Sequence, residues 1–147
     1  MDPDVDLHVP AQRQELRKHP GVTLAVISLG GVIGALARYG ITVAWAHDPA
    51  AFPWSIWTIN VSGCFLIGVL MVLIARRFPG QSLIRPFFGV GILGGYTTFS
   101  TSVVDVQQAA EHGAPGTALL YLAATLVGAL VAVWAGTALT ELAVRKR

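Results

Sequence analysis

The residues of this chain that could do chemistry are mostly uncharged and lie among apolar neighbours. From Gly91 to Ser102 the sequence runs Gly94-Gly95-Tyr96-Thr97-Thr98-Phe99-Ser100-Thr101-Ser102 at its centre. Paired glycines followed by hydroxyl residues read as two half-helices joined by unwound backbone, whose released carbonyls can coordinate a cation. The competing reading is a continuous helix with its hydroxyls bonded back to its own carbonyls. A phosphate loop is excluded, because no Gly-Lys-Ser/Thr element is present. Asn60 is the most polar group between Pro49 and Ala75 apart from hydroxyls. Its amide either joins helices or aims its donors at a polar path. Tyr121 and Thr125 are four apart and share a helix face as a short hydroxyl track, although a tyrosine near an interface also serves as a membrane anchor. Arg38 lies about 26 Å along its helix at 1.5 Å per residue, near the far interface, where it either snorkels to headgroups or makes an electropositive vestibule.

The elements that must position these groups follow from composition. Of the 147 residues, 54% are hydrophobic and 12% charged, whereas a soluble domain carries about 25% charged residues. No Asp, Glu, Lys or Arg occurs within 49–75 or 113–140, and each run exceeds the roughly 20 residues that cross a bilayer core. Residues 21–46 are interrupted by Arg38 alone, and 83–110 by Arg85 and Asp105 near the ends. The sequence therefore predicts an all-α integral membrane protein of four transmembrane helices, the third broken. Residues 1–20 form a polar cytoplasmic tail and 21–147 the membrane domain. The tail carries Asp2, Asp4 and Asp6 and lacks the arrangement of a signal peptide. No room remains for a soluble catalytic domain, so an enzyme is not expected.

Small residues recur at helix-packing intervals: Gly30 and Gly34 with Arg38 in the first span, Gly63 and Gly68 in the second, and Ala124, Gly128, Ala132 and Gly136 in the fourth. Such spacing lets backbones approach closely. Cys64 is the sole cysteine, which excludes an internal disulfide and makes it a small packing residue. Arg13, Arg17 and Lys18 precede the first span, Arg76, Arg77 and Arg85 flank the second loop, and Arg145, Lys146 and Arg147 end the chain. The positive-inside rule then places both termini and the second loop in the cytoplasm, with Asp48 and Glu111 outside. The net charge of +2 reflects this topology and not nucleic-acid binding.

Three motifs, in order, resemble those of the fluoride-specific ion channel family, also called Fluc or CrcB. They are Gly30-Gly31-Val32-Ile33-Gly34-Ala35-Leu36-Ala37-Arg38-Tyr39, then Asn60-Val61-Ser62-Gly63-Cys64-Phe65-Leu66-Ile67-Gly68, then Gly91 to Thr101. The resemblance spans about residues 30–140. It implies a passive fluoride-export channel in the cell membrane, built from two antiparallel subunits with two narrow pores. It also implies a structural, untransported sodium ion held by backbone carbonyls, which by motif position are those of Gly94 and Thr97. Asn60 would carry the pore amide, Phe99 the pore aromatic, Tyr121 and Thr125 the hydroxyl track, and Arg38 the vestibule charge. An aromatic ring edge is electropositive and can face an anion.

The chain departs from the pattern at Ser102, where the family usually has a second phenylalanine. All of its basic residues except Arg38 fall on the predicted cytoplasmic side, a bias that fixes one orientation. The opposite subunit is therefore expected to be an oppositely oriented paralogue in preference to a second copy. Two rivals compete with a channel. A small multidrug-resistance-like cation exporter needs a membrane-embedded carboxylate, for which only Asp105 is a candidate. A non-transporting membrane assembly protein would explain the glycine seams and leave the third span unexplained.

Overall fold

The structure, a computed structural model, describes residues 20–78 and 80–145. The expected tail at 1–20, apart from Pro20, and the basic residues Arg13, Arg17, Lys18, Lys146 and Arg147 lie outside the described residues.

Helix α1 is Pro20–Ala44, α2 is Trp54–Arg77, α3 is Arg85–Leu93, α4 is the single turn Gly94–Tyr96, α5 is Phe99–Glu111 and α6 is Pro115–Arg145. Helices α1, α2 and α6 and the composite Arg85–Glu111 are each long and apolar enough to cross a membrane. No strand occurs among the described residues. The protein is thus an all-helical, multi-pass membrane protein. Its surface fits that solvent, since Leu24, Leu36, Leu119, Leu126 and Trp134 all point outward. In water these side chains would oppose folding; against acyl chains they do not.

Two glycine contacts fix the helix pairs. Gly30 on α1 meets Gly91 on α3 so closely that a Cβ on Gly91 would lie 2.9 Å from the Gly30 Cα. On the other side of the bundle, Gly68 of α2 faces α6, where an added Cβ would stand 2.5 Å from the Val133 carbonyl oxygen. Gly136 returns the contact against the Phe65 carbonyl. The α2–α6 pair is the most extensive in the molecule, and the Trp57 indole ties it further by donating to the Ala124 carbonyl at 3.1 Å. The seam read from Ala124, Gly128, Ala132 and Gly136 therefore packs on α2.

The third span is unusual along its length. Residues 85–93 are wound as a π-helix, with the Gly94 N–H reaching back five residues to Gly89 O. Helical backbone then stops after Tyr96: Thr97 takes φ −80°, ψ 157° and Thr98 φ −151°, ψ 125° before α5 begins at Phe99. The glycine pair is not where the chain unwinds. Gly94 and Gly95 are helical, and Gly95 serves contact, since a Cβ there would strike the Gly31 carbonyl of α1. The α5–α6 corner closes on Gly113 at φ 78°, where Gly113 N–H bonds to Ala110 O at 3.2 Å and Ala114 N–H to Ala109 O at 2.9 Å. This paired closure requires the left-handed conformation that glycine adopts without strain.

Candidate functional site

The extended residues Thr97 and Thr98 carry polar backbone groups in a stretch that lipid cannot solvate, so those groups must find partners inside the protein. Two side chains, Asn60 and Ser102, supply them at Thr98, while the Thr98 side chain caps the helix that follows. Thr98 is the N-cap of α5, its Oγ1 accepting the Thr101 N–H at 3.2 Å. Asn60, from the first third of α2, accepts the Thr98 N–H on Oδ1 at 2.9 Å and donates from Nδ2 to the Thr98 carbonyl at 2.9 Å. Ser102, one turn into α5, donates to the same carbonyl at 3.2 Å. Asn60 therefore joins helices, and it does so at the interruption itself.

The network continues outward. The second hydrogen of Asn60 Nδ2 goes to Ser102 Oγ at 2.9 Å, and the Tyr121 hydroxyl of α6 donates to that oxygen at 3.1 Å. Tyr121 is 1% exposed, which removes the membrane-anchor reading. Its hydroxyl faces both Ser102 and Thr125, but only the bond to Ser102 has hydrogen-bond geometry. The Thr125 hydroxyl is buried without a hydrogen-bond partner among the described residues.

These groups border a cleft of about 410 Å³. Asn60, Gly94, Thr97, Thr98, Phe99, Ser102 and Thr125 line it, together with Cys64, and none of the lining residues is charged. Phe99 stands at its rim with 82% of its surface exposed. The structure thus brings Asn60, Phe99, Thr125, Gly94 and Thr97 to one place, with Tyr121 directly behind them. Arg38 is not among the lining residues; it lies part-exposed on α1, its carbonyl accepting from Thr42 Oγ1 at 2.9 Å. Asp105 is also outside the cleft. It is buried on α5 with His47 Nε2 3.8 Å from one carboxylate oxygen, and the other oxygen has no hydrogen-bond partner among the described residues.

Among the described residues, no group of three or more His, Cys, Asp or Glu could hold a metal ion. A cation here would rest on neutral oxygens, and the interruption bears on that. In a continuous helix the Thr98 N–H would close on Gly94 O and the Thr101 N–H on Thr97 O. Both donors are diverted, the first to Asn60 Oδ1 and the second to Thr98 Oγ1. The two carbonyls singled out by motif position are thus ones deprived of their helical partners, which is the donor chemistry a small hard cation takes.

Sequence reasoning did not find the role of Ser102, which is the meeting point of Asn60, Thr98 and Tyr121. The available signal was its spacing of four from Thr98, which puts its hydroxyl in reach of the Thr98 carbonyl. The His47–Asp105 approach had no signal, because a loop residue's position over a helix is not encoded by period.

Comparison with known proteins agrees with this architecture. The family model described as CrcB-like protein, Camphor Resistance (CrcB), matches residues 25–137. Fluoride-specific ion channel FluC 2 of Streptomyces avermitilis is 46% identical over 125 residues, covering 85% of this chain and 79% of that protein. Fluoride-specific ion channel FluC 2 of Nocardia farcinica is 50% identical over 118 residues, covering 80% and 84%. Fluoride-specific ion channel FluC 1 of Streptomyces coelicolor is 49% identical over 111 residues, covering 76% and 72%. A chain matched over its four spans by the family model, and at this identity by several of its members, belongs to the CrcB family of fluoride-specific ion channels.

Proposed function

We propose that this protein is a subunit of a passive fluoride channel of the cell membrane that lowers cytoplasmic fluoride. The observation that carries the reading is the uncharged cleft at the interruption of the third span, bordered by Asn60, Phe99, Ser102 and Thr125. A small, strongly hydrated anion must be handed from water to fixed donors. Hydroxyls, amides and the electropositive edge of the Phe99 ring offer such handholds. The lack of a lining charge matters equally, since conduction needs binding weak enough to release the ion. Arg38, away from the cleft, enriches anions at an entrance without holding them midway.

In this reading two subunits stand antiparallel, each giving its cleft to a pore. The Gly94 and Thr97 carbonyls hold a structural sodium ion between them, which neutralises backbone dipoles left open by the interruption. The favoured partner is an oppositely oriented paralogue, with the termini of this chain cytoplasmic. Charge bias supports it, as does the occurrence of proteins named FluC 2 and FluC 3 in the same Streptomyces avermitilis.

The test is anion efflux from liposomes loaded with fluoride or chloride. The chain is reconstituted alone and together with a family member of opposite charge bias. Fluoride release with chloride retained is the expected result in at least one of the two. Release no faster than from protein-free liposomes in both, or equal release of chloride, rejects the reading.

A further inference from the structure

We propose that Ser102 acts as a clasp on the Asn60 amide, occupying a donor that would otherwise face the cleft and holding this chain's side of the path in a self-bonded, slowly conducting state. The conduction part of this inference rests on the fluoride-channel reading; the clasp itself does not.

An asparagine amide has one acceptor oxygen and two donor hydrogens. The oxygen is fixed by Thr98, whose backbone N–H can only donate and lies 2.9 Å from Oδ1; a flipped amide would set donor against donor. Both hydrogens of Nδ2 then have assigned partners, the Thr98 carbonyl and Ser102 Oγ, each at 2.9 Å. Ser102 Oγ is saturated in turn. It accepts from Asn60 and from Tyr121, and its own hydrogen goes to Thr98 O. Asn60, Ser102 and Tyr121 are all buried, so water competes little for these bonds. No donor of the Asn60–Ser102–Tyr121 set is left for an anion.

The bond to Ser102 is the one that can be removed alone. The two Asn60–Thr98 bonds hold the interruption together, whereas an apolar side chain at 102 would leave that pair intact. It would release one Asn60 N–H and the Tyr121 hydroxyl beside the cleft. An anion reaching the amide in the natural chain must first displace the serine, a barrier of about one hydrogen bond. At roughly 1.4 kcal/mol this corresponds to about tenfold in rate.

Two measurements on the full-length chain test the proposal. The first is hydrogen exchange at the Asn60 side-chain amide, read by NMR in lipid nanodiscs without fluoride. Ser102→Ala is expected to quicken one of the two amide protons about tenfold, again the scale of one hydrogen bond. Ser102→Thr, which keeps the hydroxyl, should exchange like the parent. If the alanine variant does not fold, Ser102→Cys, whose sulfur is a weak acceptor, replaces it. Unchanged exchange in the alanine variant, or in the cysteine variant where that replaces it, overturns the clasp.

The second measurement is fluoride efflux in the assembly that conducts. Ser102→Ala should release fluoride about tenfold faster than the parent, with Ser102→Thr at the parent rate. Efflux at or below the parent rate, with exchange quickened, overturns the inference about conduction. If exchange quickens yet no assembly, of the chain alone or with a family member of opposite charge bias, releases fluoride, the clasp stands and the channel reading fails.

Discussion

Asn60 and Thr98 are joined by two hydrogen bonds running in opposite directions, Nδ2 to the Thr98 carbonyl and the Thr98 N–H to Oδ1, both 2.9 Å long. A side-chain amide has replaced the neighbouring turn of helix as the partner of this residue's backbone. The interruption persists in a water-poor setting because α2 satisfies it from outside.

Replacing Asn60 with leucine keeps the volume and removes both bonds. The Thr98 N–H is then orphaned, at about 1–3 kcal/mol for a buried group, while its carbonyl keeps Ser102. The expected outcome is a lower melting temperature in detergent together with suppressed fluoride efflux. Full stability in Asn60→Leu would mean that α2 does not support the interruption.

Phe99 makes a cleaner separation of function from folding. With 82% of its surface exposed, Phe99→Ile should leave the stability of the single chain within about 0.5 kcal/mol, as for other surface changes. Fluoride efflux should fall, because an aliphatic group has no electropositive edge. Normal efflux in a well-folded variant would leave Phe99 as a packing group.

Adjacent glycines should respond oppositely to alanine. A Cβ on Gly94 would meet nothing closer than the Gly89 carbonyl at 3.9 Å, whereas on Gly95 it would strike the Gly31 carbonyl. Gly94→Ala should fold like the parent, and Gly95→Ala should lose about 1–3 kcal/mol as an overpacked contact. Equal melting temperatures for the two variants would contradict this placement of α1 against α4.

Sodium removal tests the carbonyl site. Exchanging sodium for N-methylglucamine should lower the melting temperature of the assembled protein, since a ligand at about one hundred times its dissociation constant contributes about 2.7 kcal/mol. Thr97→Ser keeps the carbonyl and should retain the sodium effect. A melting temperature indifferent to sodium removes the ion from the site.

Reporter fusions at the C-terminus measure insertion. Arg76, Arg77, Arg85 and Arg145 share the side predicted to be cytoplasmic, so the reporter should be found inside. Comparable amounts on both sides would favour pairing of the chain with itself.

Sequence made some of this legible for definite reasons. Hydropathy exposes membrane helices because lipid demands it along the whole length, and the seam from Ala124 to Gly136 was readable because close contact needs small residues at one period. The interruption was readable in kind and in place, since Thr97 and Thr98 belong to the run of hydroxyl residues that follows the glycine pair. Gly94 and Gly95 drew attention as flexible residues, but Gly95 is a contact surface, and the unwinding falls on two β-branched threonines with Thr98 as cap. The tie of Asn60 to Ser102 and of Ser102 to Tyr121 was not readable. It depends on the rotation of three helices about their axes, which no single span encodes.

The π-wound stretch Arg85–Leu93 has a consequence for how this segment can change over time. A π-turn is an α-helix carrying one residue too many, so losing a single residue there would let ordinary i→i−4 bonding resume. The half of the span before the deletion would then turn by about 100° relative to the half after it. Gly91 would swing away from Gly30, or Thr98 away from Asn60, depending on which half held its place. Length in this segment is therefore a phase setting between two docking surfaces. Substitutions should accumulate here far more readily than insertions or deletions.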